Sequence, residues 1–165
     1  MDLKHSEEYY FWNLLHRVKI KEIMVDKVIA LREDDPFSHV EEKFRIFHIR
    51  HLPIVNEDHK LVGIITERDL YRISTPRKDE DGNLIYDKET LDAHILKKVM
   101  TQNPFALTPD HSVADIIFAM ADQKYGSVPI VDKFNTLVGI VTQNDIFRIG
   151  AQILRKGGPA NPPAR

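Results

Sequence analysis

The chain has 165 residues, of which 42% are hydrophobic and 29% charged, a size and balance that suit one compact unit or two small ones. With 23 Lys and Arg against 25 Asp and Glu it lacks the cationic surplus that a nucleic-acid or polybasic membrane surface needs, and neither partner is expected. It contains no Cys, which excludes disulfides, thiolate catalysis and Cys-bound metal. The longest apolar run, Ile116 to Ala121, is far shorter than a bilayer span, and no apolar signal core follows the N-terminal Met, so a cytoplasmic location is expected.

Residues 1–19 open the chain with Tyr9, Trp12, Leu15 and Val18 at helical intervals, which predicts an amphipathic helix over 5–18 packed on its own module or across a dimer. Residues 20–73 then align without a gap on residues 96–149 at an offset of 76. The alignment has 16 identities over 54 positions, among them Met24/Met100, Pro53-Ile54-Val55/Pro129-Ile130-Val131, Leu61-Val62-Gly63-Ile64/Leu137-Val138-Gly139-Ile140, Thr66/Thr142, Asp69/Asp145 and Arg72/Arg148. A unit of that size cannot bury a good core alone, so the copies should pack about a pseudo-twofold axis.

Each copy begins with an extended piece, Val28 to Leu31 or Phe105 to Leu107. A helix follows, opened by Asp35-Pro36 with Pro36 at its first position, or by the capping-box spacing of Ser112 and Asp115. Val40, Phe44 and Phe47 are expected to face the core in the first copy, and Val113, Ile116, Ile117 and Met120 in the second. Leu52 to Val55 and Leu61 to Ile65 read as a hairpin closed by Asn56 to Lys60, and a second helix starts at Thr66 or Thr142. The fold class is α/β (α+β), with a β-α-β-β-α order, a small sheet and both helices on one face. Residues 74–95 link the copies through a turn at Asp79 to Asn83 and a short strand at Leu84-Ile85-Tyr86. Residues 150–165 hold the end of the last helix and a tail expected to be disordered.

The chemistry points to Gly63-Ile64-Ile65-Thr66-Glu67-Arg68-Asp69 and Gly139-Ile140-Val141-Thr142-Gln143-Asn144-Asp145. At a strand-to-helix junction a Thr hydroxyl can reach a phosphate or sugar oxygen, and a carboxylate one turn on can accept from vicinal diol hydroxyls. Thr-x-x-Asp is equally a capping box in which both residues steady their own helix. His48-x-x-His51 has no third ligand at metal spacing, so no metal site is expected. No nucleophile–base pairing or phosphate-cradling Gly-rich loop is readable, so the chain is not expected to be an enzyme.

With these marks together, Met24 and Met100, Leu-Pro-Ile-Val and Val-Pro-Ile-Val, and the two Gly-x-x-Thr-x-x-Asp junctions, the chain resembles a tandem pair of the cystathionine β-synthase (CBS) domain family. The resemblance implies two clefts that take adenosine-containing ligands such as AMP, ADP, ATP or S-adenosylmethionine, no required cofactor, and a homodimer. By that resemblance Asp69 and Asp145 hold ribose hydroxyls, with Thr66 and Thr142 at ribose or phosphate. The adenine lies near Val28, Ile29 and Ala30 with Leu52 and Pro53, or near Pro104, Phe105 and Ala106 with Val128 and Pro129. Before the proline the copies differ: Arg50-His51 suits a more anionic ligand if it is not a solvated loop pair, and Gly126-Ser127 leaves more room. The function implied is a ligand-sensing regulatory module acting on an effector protein in trans; the alternative is a structural or dimerisation module with vestigial clefts.

Overall fold

The computed structural model describes residues 3–157; the expected disordered tail lies outside the described residues. Helix α1 spans Leu3–Arg17. The first repeat supplies β1 (Leu31–Arg32), α2 (Ser38–Phe47), β2 (His51–Val55), β3 (Leu61–Thr66) and α3 (Glu67–Ile73). The linker forms β4 (Arg77–Lys78), β5 (Leu84–Ile85) and α4 (Lys88–Asp92). The second repeat has α5 (Leu96–Val99), β6 (Thr101–Gln102), α6 (Val113–Gln123), β7 (Ser127–Val131), β8 (Leu137–Thr142) and α7 (Gln143–Gly157). This is the mixed α/β architecture expected from the repeat.

The extended pieces are shorter than the apolar runs suggest. β1 pairs in parallel with β2 from Leu31↔Ile54 onward, and its counterpart shrinks to the single bridge Leu107↔Ile130. That start has a reason: Pro53 has no N–H to donate, and the parallel pairing begins one residue after it. The linker behaves as its residues dictate. The Asp79 carboxylate accepts from the Asp81 and Asn83 amides, Gly82 takes φ +83°, and β4 and β5 pair across the turn.

Pro36 does not open α2. The helix begins at Ser38, after a tighter turn in which Pro36 O accepts from the His39 amide. Asp35 instead accepts from the Arg32 amide, and the Ser38 amide is satisfied by Asp92 of α4. A distant carboxylate thus does what a local cap does for α6, where Ser112 and Asp115 bond reciprocally as their spacing predicts.

The chain forms two compact units, and they are not the two repeats. One contains residues 1–26, 107–130 and 139–165; the other contains 27–106 and 131–138. In the second of these, β1, β2, β3 and β6 form one sheet, with β6 supplied by the other repeat through Thr101↔Ile64. In the first, the equivalent exchange is Val25↔Ile140. Both pairings bring a methionine over a glycine. A Cβ on Gly63 would lie 2.3 Å from Met100 Sδ, and one on Gly139 would lie 2.5 Å from Met24 Sδ. Glycine is required there for close approach.

Within the second unit the hairpin loops pair about Lys60↔Thr136, with the Leu61 amide donating to Asn135 O and the Leu137 amide to His59 O. Equivalent positions trade places, which is the local signature of a twofold relation between the repeats. The core of this unit gathers Leu31, Phe37, Val40, Phe44, Leu52, Ile54, Ile65, Leu70, Leu91, Leu96 and Met100. Burying each large side chain contributes about 1.5–3 kcal/mol. The first unit buries Ile20, Val113, Ile116, Met120, Val128, Ile130 and Val141.

Candidate functional site

Both Thr-x-x-Asp segments sit where a strand runs into a helix. In the first repeat Thr66 ends β3 in extended conformation and caps α3. Asp69 Oδ2 accepts from the Thr66 amide at 2.9 Å and from its hydroxyl at 2.7 Å. In the second repeat Asp145 Oδ2 accepts from the Thr142 amide at 2.9 Å and hydroxyl at 2.7 Å. The capping box is therefore formed twice, and in each box one carboxylate oxygen is left over for other donors.

The leftover oxygens face different surroundings. Asp145 Oδ1 accepts from Arg148 Nη2 at 2.8 Å, and the Asp145 side chain is 8% exposed. Asp69 Oδ1 has Arg72 Nη1 at 3.8 Å, beyond hydrogen-bond range, and its side chain is 18% exposed. The repeat alignment shows Arg72 and Arg148 as identical residues; only their placement separates them.

Around Asp69 the fold assembles most of the first candidate set within one unit. His51 lies opposite Thr66 in the β2–β3 register, and Pro53, buried, lies opposite Ile64. Positions 51 and 53 share a face, so His51, Pro53 and Thr66 are neighbours on the sheet. Val28, Ile29 and Ala30 are half-buried and lead directly into β1, which runs beside β2. Burial, with the Arg50 charge adding to it, holds the His51 imidazole below the usual histidine range. Arg50 itself is exposed, with its Nε 3.6 Å from Glu67 Oε2. Glu67 is a partner that the sequence pattern did not single out.

The second candidate set divides. Gly126, Ser127, Pro129, Thr142 and Asp145 belong to one unit, with the Gln143 amide donating to Gly126 O just as the Glu67 amide donates to Arg50 O. Ser127 is buried, and its hydroxyl has no hydrogen-bond partner among the described residues. Pro104, Phe105 and Ala106 fall in the other unit, where Pro104 and Ala106 are half-buried and Phe105 is exposed.

An apolar groove of about 220 Å³ also occurs among α1, α6 and α7, lined by Leu15, Val113, Ile117, Ile146, Ile149 and Ile153. Beside it α1 carries a ladder of rings, Tyr9 stacked on Trp12 and Trp12 on His16, that continues to Phe118 of α6. α1 thus packs on its own module, although Tyr9 and Trp12 stay largely exposed. Among the described residues no helix is long and apolar enough to cross a membrane, and no group of three acidic or His side chains could hold a metal ion.

A duplicated strand–helix junction with a Thr–Asp pair, cross-exchanged lead-in segments and a methionine packed over each junction strand define a tandem domain pair. The CBS domain family matches residues 20–75 and 96–151, and the chain belongs to that family. A CBS domain-containing protein of Dictyostelium discoideum is 28% identical over 148 residues, covering 87% of this chain and 98% of that protein. The homoserine O-acetyltransferase of Methanohalobium evestigatum is 26% identical over 144 residues, which are 86% of this chain but 26% of the enzyme. Among solved structures, the CBS domain pair of protein MJ0100 in complex with 5'-methylthioadenosine and S-adenosyl-L-methionine is 26% identical. It superposes with a TM-score of 0.68 over 82% of this chain and 98% of that pair.

Proposed function

We propose that the chain is a ligand-sensing regulatory module, not an enzyme, that binds an adenosine-containing molecule at one or both Thr–Asp junctions. The observation that carries this reading is the match over nearly the whole of a CBS pair whose ligands are 5'-methylthioadenosine and S-adenosyl-L-methionine. Both ligands offer a vicinal ribose diol. The leftover oxygens of Asp69 and Asp145 are suited to accept from it, and the Thr66 and Thr142 hydroxyls lie beside them. The first junction, with Arg50 and His51 at hand, suits an anionic ligand such as AMP, ADP or ATP. The second, with Gly126 and Ser127, suits a ligand that carries no phosphate.

Ligand binding shifts the module toward the state it prefers by its difference in affinity between states, and this shift is the signal. The module acts in trans on an effector protein, in the cytoplasm, as a homodimer. Calorimetric titration with AMP, ATP and S-adenosylmethionine tests the reading. Binding with micromolar affinity is expected, and Asp69→Ala and Asp145→Ala should each remove one site.

One observation favours a second reading. Each Asp already has a structural task in its capping box, so the pairs could be kept for folding alone. A scaffold of that kind would dimerise in light scattering and give no thermal shift with any adenosine compound.

A further inference from the structure

We propose that Arg148 is a latch on Asp145 that a sugar diol must displace, so that the second junction is gated while the first stands open. The inference rests on the functional reading above. A carboxylate offers about four lone-pair sites. At Asp145, Thr142 fills two on Oδ2, at 2.9 and 2.7 Å, and Arg148 fills one on Oδ1 at 2.8 Å. A vicinal diol brings two donors and meets a single open site. At Asp69, Thr66 fills Oδ2 in the same way, but Arg72 stays 3.8 Å from Oδ1, so both sites there stay open.

Ser127 points to a ligand independently. The residue is 7% exposed and its hydroxyl has no hydrogen-bond partner among the described residues, a costly state for an interior hydroxyl until a partner arrives. It follows Gly126, whose carbonyl accepts from Gln143, the residue after Thr142. An unspent donor and a latched acceptor therefore lie at the same junction. Arg148 is 60% exposed, so its own charge stays solvated when it swings away, and the diol hydroxyls take over as donors to the 8% exposed Asp145 carboxylate.

The probe is 5'-methylthioadenosine, whose uncharged sugar draws nothing from an arginine except through the diol. Asp69→Asn isolates the second junction for calorimetry, and a two-site fit in the unaltered chain gives the same comparison should that variant fail to fold. Arg148→Met is expected to tighten binding by about 3–5-fold, the scale of one exposed ion pair, with Arg148→Lys in between. Added salt should strengthen binding where Arg148 is present, because it screens the latch, and should leave Arg148→Met unchanged. Equal or weaker binding by Arg148→Met, with the probe still bound, overturns the latch alone. No binding of this probe, AMP or S-adenosylmethionine by any of the chains overturns the functional reading and the latch with it.

Discussion

The two repeats share one 54-residue pattern but secure their helices by different means. α6 is capped from within, by Ser112 and Asp115 three residues apart, whereas α2 borrows Asp92 from the linker, 54 residues beyond Ser38. α3 ends at Ile73, with Pro76 soon after, while α7 runs on to Gly157 and builds a wall of the apolar groove with Ile149 and Ile153. The strand-to-helix junctions, by contrast, keep the same Thr–Asp bonds and the same amide-to-carbonyl bond, Glu67 to Arg50 and Gln143 to Gly126. Duplication has kept what the junction needs and left the helix ends free to diverge. Each repeat therefore depends on a different part of the chain for its stability.

The sharpest way to break this comparison is at the paired carboxylates. Asp145→Ala strips acceptors from the Thr142 amide, its hydroxyl and Arg148 at a buried position, and should cost about 2–3 kcal/mol in urea unfolding. Asp69→Ala, which loses the cap but no close arginine bond, should cost about 1 kcal/mol. Equal losses would show that the arginine contact adds nothing to stability.

The methionine-over-glycine contacts come next. Gly63→Ala pushes against a buried Met100 and should lower stability by about 1–3 kcal/mol. Gly139→Ala meets a half-exposed Met24, which can turn outward, and the thermal midpoint should fall less. The reverse order would mean that Met24 is held more firmly than its exposure suggests.

Smaller effects sharpen the contrast in capping and in charge. Asp92→Ala should speed hydrogen exchange at the Ser38 amide and leave α6 untouched, while Ser112→Ala should do the converse and cost about 1 kcal/mol. His51 has its pKa lowered in the fold, chiefly by burial, so the unfolded chain takes up its proton first. Its contribution is thus fully present above about pH 6.5 and is lost as pH falls from there through the lowered folded value. His51→Gln should flatten the dependence of the urea midpoint between pH 7.5 and about 5. The second repeat, with Ser127 at this place, supplies no such titration.

Much of this organisation is legible in the residue pattern because it is local. The hairpins follow from paired short apolar runs and a polar turn, the Asp79 turn from side chains bonding amides two and four residues on, and both Thr–Asp boxes from their spacing of three. The α2 start is not legible, because Pro36 is an acceptable first helical residue and nothing near it reveals that Asp92 will supply the cap. The candidate site is legible to the same depth. Thr66, Asp69, Thr142 and Asp145 stand out by repetition, whereas Glu67 beside Arg50 and the different reach of Arg72 and Arg148 do not.

Periodicity, which acts over a few residues, and the repeat at an offset of 76 were enough to establish a duplicated α/β chain with two matching junctions, and the repeated motifs carried its resemblance to the CBS family. They could not say that each lead-in segment would join the other repeat's strands, because Val25↔Ile140 and Thr101↔Ile64 are pairings across long loops. Nor could they separate two identical arginines. Whether such a side chain closes on a carboxylate depends on rotamers and on crowding by neighbours distant along the chain, and those are settled when the units pack.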